Sequence, residues 1–178
     1  QHLETFKSID NVLKEKSNII LSIKENGYAI FNIDDIRLKD YIKVIKEKRK
    51  DLKIYTYSLN DKSAYVYAYD IKYSLYNTSF KIKVEGFEYD VFSKLIGKHS
   101  VYNIICSVIV CLIKGMDIMD IIRSINNIDY IDNRLKLERK DNMIILNDSY
   151  NSNVLGFKNA IDVLMLYEND GYTKSLFL

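Results

Sequence analysis

Between Lys53 and Leu95 the chain carries four runs in which apolar and polar residues alternate: KIYTYSL, AYVYAYDI, SFKIKVE and EYDVFSKL. A period of two places successive side chains on opposite faces, so these runs read as strands that need a shared sheet. Glu85-Gly86 lies between the last two as a hairpin turn. Both flanks read differently. Upstream, residues 8–25 have a helical pattern, with Ser8 able to cap the start and Gly27 past the end. GYAIFN (27–32) is a short apolar run suited to a strand buried on both faces. Asp34 and Asp35 can cap a helix over about 35–50 that turns Ile36, Tyr41, Ile42 and Ile45 inward. Downstream, an apolar helix over about 100–114 stops at Gly115, and a second helix covers 117–126. RLKLERK and NMIILND flank Asp141-Asn142 as another hairpin, a helix follows over about 155–168, and KSLFL reads as one more strand. Helices and strands alternate at both ends with an antiparallel patch between them. That pattern specifies an α/β fold of three layers, with a mostly parallel sheet and an antiparallel addition. A domain boundary is expected near 128–134, dividing 1–131 from 132–178.

With 178 residues, 48% of them hydrophobic, the chain can hold one large domain or one domain and part of another. No run of 18 uncharged apolar residues occurs, so no membrane span is expected. A net charge of +2 argues against a polyanion binder. Residues 37–53 are locally basic, which a solvated helix face explains more simply than nucleic acid. Tyr65, Tyr67 and Tyr69 could stack bases along one strand face, but cross-strand packing also accounts for them. Cys106 and Cys111 sit in one apolar helix and point about 140° apart, so they read as buried reduced thiols of a cytosolic protein. Gln1 is not a natural start and KSLFL has no partner in sight, so the chain reads as a segment of a longer protein.

Three places carry candidate chemistry. On a helical wheel Ile9, Val12, Leu13, Ile19, Ile20 and Ile23 form a stripe, and Lys16 falls in its middle. A charged ammonium is costly there, and a neutral amine could take up carbon dioxide as a carbamate. The alternative is a lysine whose stem packs while its head reaches water. His2, near Glu4, is either a metal ligand or a surface side chain. The third place is NDSYNSN (147–153), directly behind the apolar run Ile144, Ile145, Leu146. Ligands of open α/β sheets gather where strands end, and Asp148 could accept a ribose hydroxyl there. The same residues would also serve as a helix cap and turn cluster. LIGKHS is no phosphate loop, because Phe92 and His99 stand where that pattern needs glycine and serine or threonine. Neither a nucleophile elbow nor a paired-cysteine metal site is present.

Five segments in order resemble the Mur ligases, the ATP-dependent amide-bond-forming enzymes of peptidoglycan synthesis. QHLETFKSIDNVLKEKSNI resembles the family's His-Leu-Glu segment and Ala-Lys-x-Glu-Ile helix. YAIFNIDD resembles its strand ending in Asn-x-Asp-Asp. GKHSVYN resembles Gly-x-His-Asn-x-x-Asn at a helix start, NRLKLE the Gly-Arg segment opening the last domain, and NDSYNSN the motif Asp-Asp-Ser-Tyr-Asn-Ala-Asn. This last form is most similar to the branch that adds D-alanyl-D-alanine to UDP-N-acetylmuramoyl-tripeptide.

The resemblance implies a central ATP-binding domain over 1–131 and the start of a Rossmann-like C-terminal domain over 132–178. It implies ATP and Mg2+ as cofactors, an acyl phosphate intermediate, and the muramoyl peptide and D-alanyl-D-alanine as substrates of a cytoplasmic monomer. His2 would ligate magnesium, and Lys16, carbamylated, would help place it. His99 and Asn103 would lie by the adenine. Arg134 and Asp148 would lie by the ribose and phosphates, with Tyr150 and Asn151 in the same motif. Four residues depart from the pattern: Ser100 replaces the first asparagine after the histidine, Asn147 an aspartate, Asn133 a glycine, and Glu15 a small residue. The phosphate loop, an acidic metal ligand and the UDP-sugar domain would precede Gln1, so the 178 residues alone are expected not to catalyse. Another amino-acid ligase of the superfamily, similar to folylpolyglutamate synthase, or a non-catalytic nucleotide-binding module are the alternatives.

Overall fold

The computed structural model describes residues 8–74, 76–150, 153–167, 171 and 173–175. The chain divides into two compact units, one ending at Tyr67 and the other beginning at Ala68. This division falls well before the boundary expected near 128–134.

The first unit contains α1 (Ile9–Leu21), β1 (Tyr28–Asn32), α2 (Ile36–Lys48), β2 (Lys53–Ser58) and the start of β3 (Val66–Tyr73). β1 and β2 run parallel from Tyr28↔Lys53 to Asn32↔Tyr57. β2 and β3 are also parallel, but they touch only at Tyr57↔Val66 and Ser58↔Tyr67. A full parallel pairing needs a crossover of roughly a dozen residues or more. Meeting at strand ends alone lets the short 59–65 connection suffice. The core consists of Ala29, Phe31 and Ile33 behind β1, with Ile42, Ile45, Leu52 and Ala64. β1 buries one face only: Ala29 and Phe31 are buried, Ile30 and Asn32 half-buried, and Tyr28 exposed. The expected burial on both faces is not seen within the unit.

Two helix faces differ from expectation. Ile36 is 64% exposed, because it is the first residue of α2 and the inward face begins a turn later. In α1, Ser17 is buried whereas Lys16 is exposed and Ile19 is 71% exposed. The helix is therefore turned by one position, about 100°. The physical reason is polar satisfaction. Ser17 Oγ donates to the Leu13 carbonyl at 2.6 Å, so its hydroxyl can be buried at little cost. A buried ammonium would lack such a partner. Arg49 closes the end of α1 by donating to the Leu21 and Ile23 carbonyls at 2.7 and 2.8 Å while pairing with Asp51. Lys39 pairs with Asp61 and Lys43 with Asp40, so the basic stretch is a face of ion pairs.

The second unit continues β3 and adds β4 (Thr78–Val84), β5 (Phe87–Ser93), α3 (Lys98–Ile113), α4 (Ile118–Asn127), β6 (Lys136–Lys140), β7 (Met143–Asn147) and α5 (Val154–Met165). β3 neighbours β4, and β4 pairs antiparallel with β5 through the turn at Glu85 and Gly86, whose φ angles of 51° and 89° suit a tight hairpin. The sheet is thus mixed, parallel in the first unit and antiparallel here. α4 packs on β5 and on α3. The core takes Phe80, Ile82 and Val91 from the hairpin, Val101, Ile105 and Ile109 from α3, and Ile121, Ile122 and Ile125 from α4. Gly115, at φ 82°, ends α3, and Met116 N–H returns to the Cys111 carbonyl at 3.1 Å, a left-handed C-cap. β6 and β7 form the second hairpin, and Ile96, Leu135 and Val163 make a small core beside it. Cys106 and Cys111 are half-buried and form no disulfide. No helix among the described residues is long and apolar enough to cross a membrane. Lys174 and Ser175 are not in a strand, and the rest of the expected KSLFL strand lies outside the described residues.

Candidate functional site

The second unit gathers three of the expected residues. α3 opens at Lys98 with Gly97 as its N-cap, two residues before the expected start, which sets His99 in the first turn. Gly97 has φ 97°, and a β-carbon on it would meet the His99 ring at 2.8 Å (Cε1) and 3.0 Å (Nδ1). Only glycine allows the ring to settle there. His99 Nδ1 is buried, with no hydrogen-bond partner among the described residues. Burial holds the imidazole below the ordinary histidine range; the Asp148 charge opposes this and the Arg134 charge adds to it. His99 is therefore neutral near pH 7 and shares its surroundings with one charge of each sign.

Arg134 comes from the turn before β6 and Asp148 from the end of β7. Asp148 Oδ1 accepts from Leu135 N–H at 3.2 Å, tying the two segments together beside Arg134. The Arg134 guanidinium lies 4.1 Å from the centre of the Tyr150 ring, a cation–π contact that orients it while Tyr150 stays 66% exposed. Asn103 lies one turn beyond His99 on α3 and is exposed. Ser100 points the other way: it is buried and donates to the Ile96 carbonyl at 3.0 Å. Asn153 caps α5 by accepting from Gly156 N–H at 3.0 Å. The polar run behind β7 thus divides into a helix cap and a site wall.

The cluster holds a buried imidazole, a guanidinium set on an aromatic ring, and a half-buried carboxylate with one hydrogen bond among the described residues. That set suits a ligand carrying a heteroaromatic ring, hydroxyls and negative charge. Gly97 escaped the sequence reading, although a glycine directly before a helix start was its available signal. Lys16 belongs to the first unit and is exposed, so the desolvation expected of it is absent. His2 and Asn151 lie outside the described residues. Among the described residues no group of three or more His, Cys, Asp or Glu side chains could hold a metal ion.

Fold and cluster together define an α/β domain with a candidate ligand site at strand and helix ends. The Mur ligase middle domain matches residues 1–111, and the chain belongs to the Mur ligase family. UDP-N-acetylmuramoyl-tripeptide--D-alanyl-D-alanine ligase of Escherichia coli (strain K12) is 29% identical over 172 residues, covering 96% of this chain and 37% of that enzyme. UDP-N-acetylmuramate--L-alanine ligase of Dictyoglomus turgidum is 23% identical over 202 residues, covering 99% of this chain and 39% of its own. Among solved structures, MurF from Acinetobacter baumannii superposes with a TM-score of 0.80 at 25% identity, over 93% of this chain and 35% of that one. MurF from Thermotoga maritima in complex with ADP shares the fold, with a TM-score of 0.78 at 21% identity, over 92% of this chain and 36% of that one. The chain therefore spans little more than a third of the length of these relatives.

Proposed function

We propose that the chain is the central domain (1–131) and the start of the C-terminal domain (132–178) of an ATP-dependent ligase. That ligase joins D-alanyl-D-alanine to UDP-N-acetylmuramoyl-tripeptide. The observation that carries this reading is the match to the Escherichia coli ligase along 96% of the chain. NDSYNSN, which resembles the motif of that branch, lies within it and supplies Asp148 and Tyr150 to the cluster.

The cluster fits a nucleotide. The buried Nδ1 of His99 has no partner among the described residues, and the missing β-carbon of Gly97 leaves room for the His99 ring itself. His99 and Asn103 hold the base. Asp148 accepts a ribose hydroxyl, Arg134 offsets phosphate charge, and Tyr150 keeps the guanidinium aimed. Asn151, outside the described residues, is assigned to the nucleotide by its place in the motif alone. When bound, ATP supplies the phosphoryl group that activates the peptide carboxylate. Among the described residues no group of three or more His, Cys, Asp or Glu side chains gathers, and magnesium enters this reading through the family resemblance. The roles of His2 and of a carbamylated Lys16 rest on the family resemblance alone.

The test is phosphate release by the complete gene product with magnesium, ATP, UDP-N-acetylmuramoyl-tripeptide and D-alanyl-D-alanine, each substrate left out in turn. Release that needs both acceptor and donor peptide is the expected result, and the isolated 178 residues should release none. Release with folate and glutamate instead would move the chain to a folylpolyglutamate-synthase-like role. ATP binding without release on any acceptor would make it a non-catalytic nucleotide module.

A further inference from the structure

The turn that carries Arg134 holds a conformation that L residues seldom adopt. Asn133 and Leu135, on either side of the arginine, both have positive φ, 60° and 46°. A β-carbon makes this region costly, less so for asparagine than for leucine. Residues 147–150 hold the turn in place. Leu135 N–H donates to Asp148 Oδ1 at 3.2 Å, and Tyr150 N–H donates to the Asn133 carbonyl at 3.1 Å. Between the same segments, Asn147 Nδ2 donates to Asn133 Oδ1 at 3.1 Å. The Ser149 hydroxyl bridges the two carboxamides, 2.8 Å from Asn147 Oδ1 and 3.2 Å from Asn133 Oδ1. Ser149 N–H also donates to Asn147 Oδ1, at 3.2 Å. Asn133 and Asn147 are two of the four departures from the family pattern, and they touch each other.

We infer that Asn133 and Asn147 are a positioning pair, whose carboxamide bond fixes the strained turn that aims Arg134 and sets Asp148 for the nucleotide. They act through those two residues. The inference rests on the nucleotide reading above and adds the residues that tune that site. The Tyr150–Asn133 and Leu135–Asp148 bonds hold the C-terminal side of Asn133 and the residue after Arg134, but neither holds the Asn133 side chain. The side-chain bridge adds that further point and helps stop the turn from relaxing.

A double-mutant cycle tests it in the complete gene product, with ATP as the probe in titration calorimetry. Asn133→Asp still accepts from Asn147 and tolerates positive φ. Asn147→Asp still pairs once the Asn133 amide turns over to donate. Each single variant should stay within about threefold of the unaltered protein, whereas N133D/N147D sets two carboxylates face to face. It should lose about tenfold beyond the product of the single effects. Acidification toward about pH 5 should recover much of that loss, since facing carboxylates can share a proton. Amide exchange at Ser149 and Tyr150 should quicken in the double variant only. Additive affinities with unchanged exchange would overturn the pair. If the unaltered protein fails to bind ATP, the nucleotide reading falls, and exchange at Ser149 and Tyr150 still decides whether the pair holds the turn.

Discussion

Asp34 follows β1 much as Asp148 follows β7, each at the end of an apolar strand and in a polar run that leads to a helix. Their surroundings differ. The Asp34 carboxylate accepts from the Ser58 hydroxyl, from Leu59 N–H at 2.8 Å and from Asn60 N–H at 3.3 Å. Ser58 is itself buried and accepts from Asn60 and Asp61 N–H at 2.9 and 2.7 Å. This knot closes the loop between β2 and β3, and the helix cap falls to Asp35, which accepts from Arg37 N–H at 3.1 Å. Asp148 has one hydrogen bond among the described residues, and it neighbours an imidazole, a guanidinium and an exposed tyrosine. The same sequence grammar gives a carboxylate saturated by its own fold in one unit, and in the other one with capacity left for a ligand.

The difference is sharpened by removing each carboxylate. Asp34→Ala strands the Leu59 N–H and the buried Ser58 hydroxyl, at a cost of about 2–4 kcal/mol. Denaturant unfolding should register that cost, with loss of ligand binding only as a consequence. Stability unchanged to within about 0.5 kcal/mol would break the comparison, because Asp34 would then be no knot.

Asp148→Ala should act in the opposite sense. It removes one hydrogen bond at a half-buried position, so stability should fall by only about 0.5–1.5 kcal/mol. ATP affinity should fall about tenfold, the worth of one charge-assisted contact to a ribose hydroxyl. Calorimetric titration beside an unfolding curve separates the two effects. A loss of stability as large as that of Asp34→Ala would mean that both residues serve the fold.

What the residues alone made legible follows the range of the interactions involved. Period-two runs and helical stripes are local, and the strands over 53–95 and the helices near 100–114 and 117–126 form within a few residues of where the pattern puts them. The nearness of His99, Arg134 and Asp148 was legible because their motifs lie at strand and helix ends, and the fold brings those ends together. The rotation of α1 was not legible. A wheel weighs Lys16 and Ser17 by neighbouring apolar residues, but the choice is made by whether a polar group can be satisfied when buried. The place of Gly97 under the His99 ring was hidden for a related reason. So was the pairing of Asn133 with Asn147: both depend on contacts that only the folded chain makes.

The smallest expected effect is on the titration of His99, which reports how closely the charges of the second unit are grouped. Burial, the largest influence, lowers its pKa, Asp148 raises it, and Arg134 lowers it. A histidine whose folded pKa lies below the ordinary value of about 6.5 binds protons more weakly folded than unfolded. Its contribution to stability is therefore complete above about pH 6.5 and is lost as the pH falls through the folded pKa. Unfolding curves taken across that window should show stability decreasing on acidification, and His99→Gln should flatten the decrease. Ring titration by NMR reads the charges directly. Asp148→Asn removes the opposing charge and should move the midpoint lower, whereas Arg134→Gln should move it higher. Midpoints that ignore both substitutions would mean that the two charges do not face the imidazole. The second unit's carboxylate would then be as self-contained as that of the first.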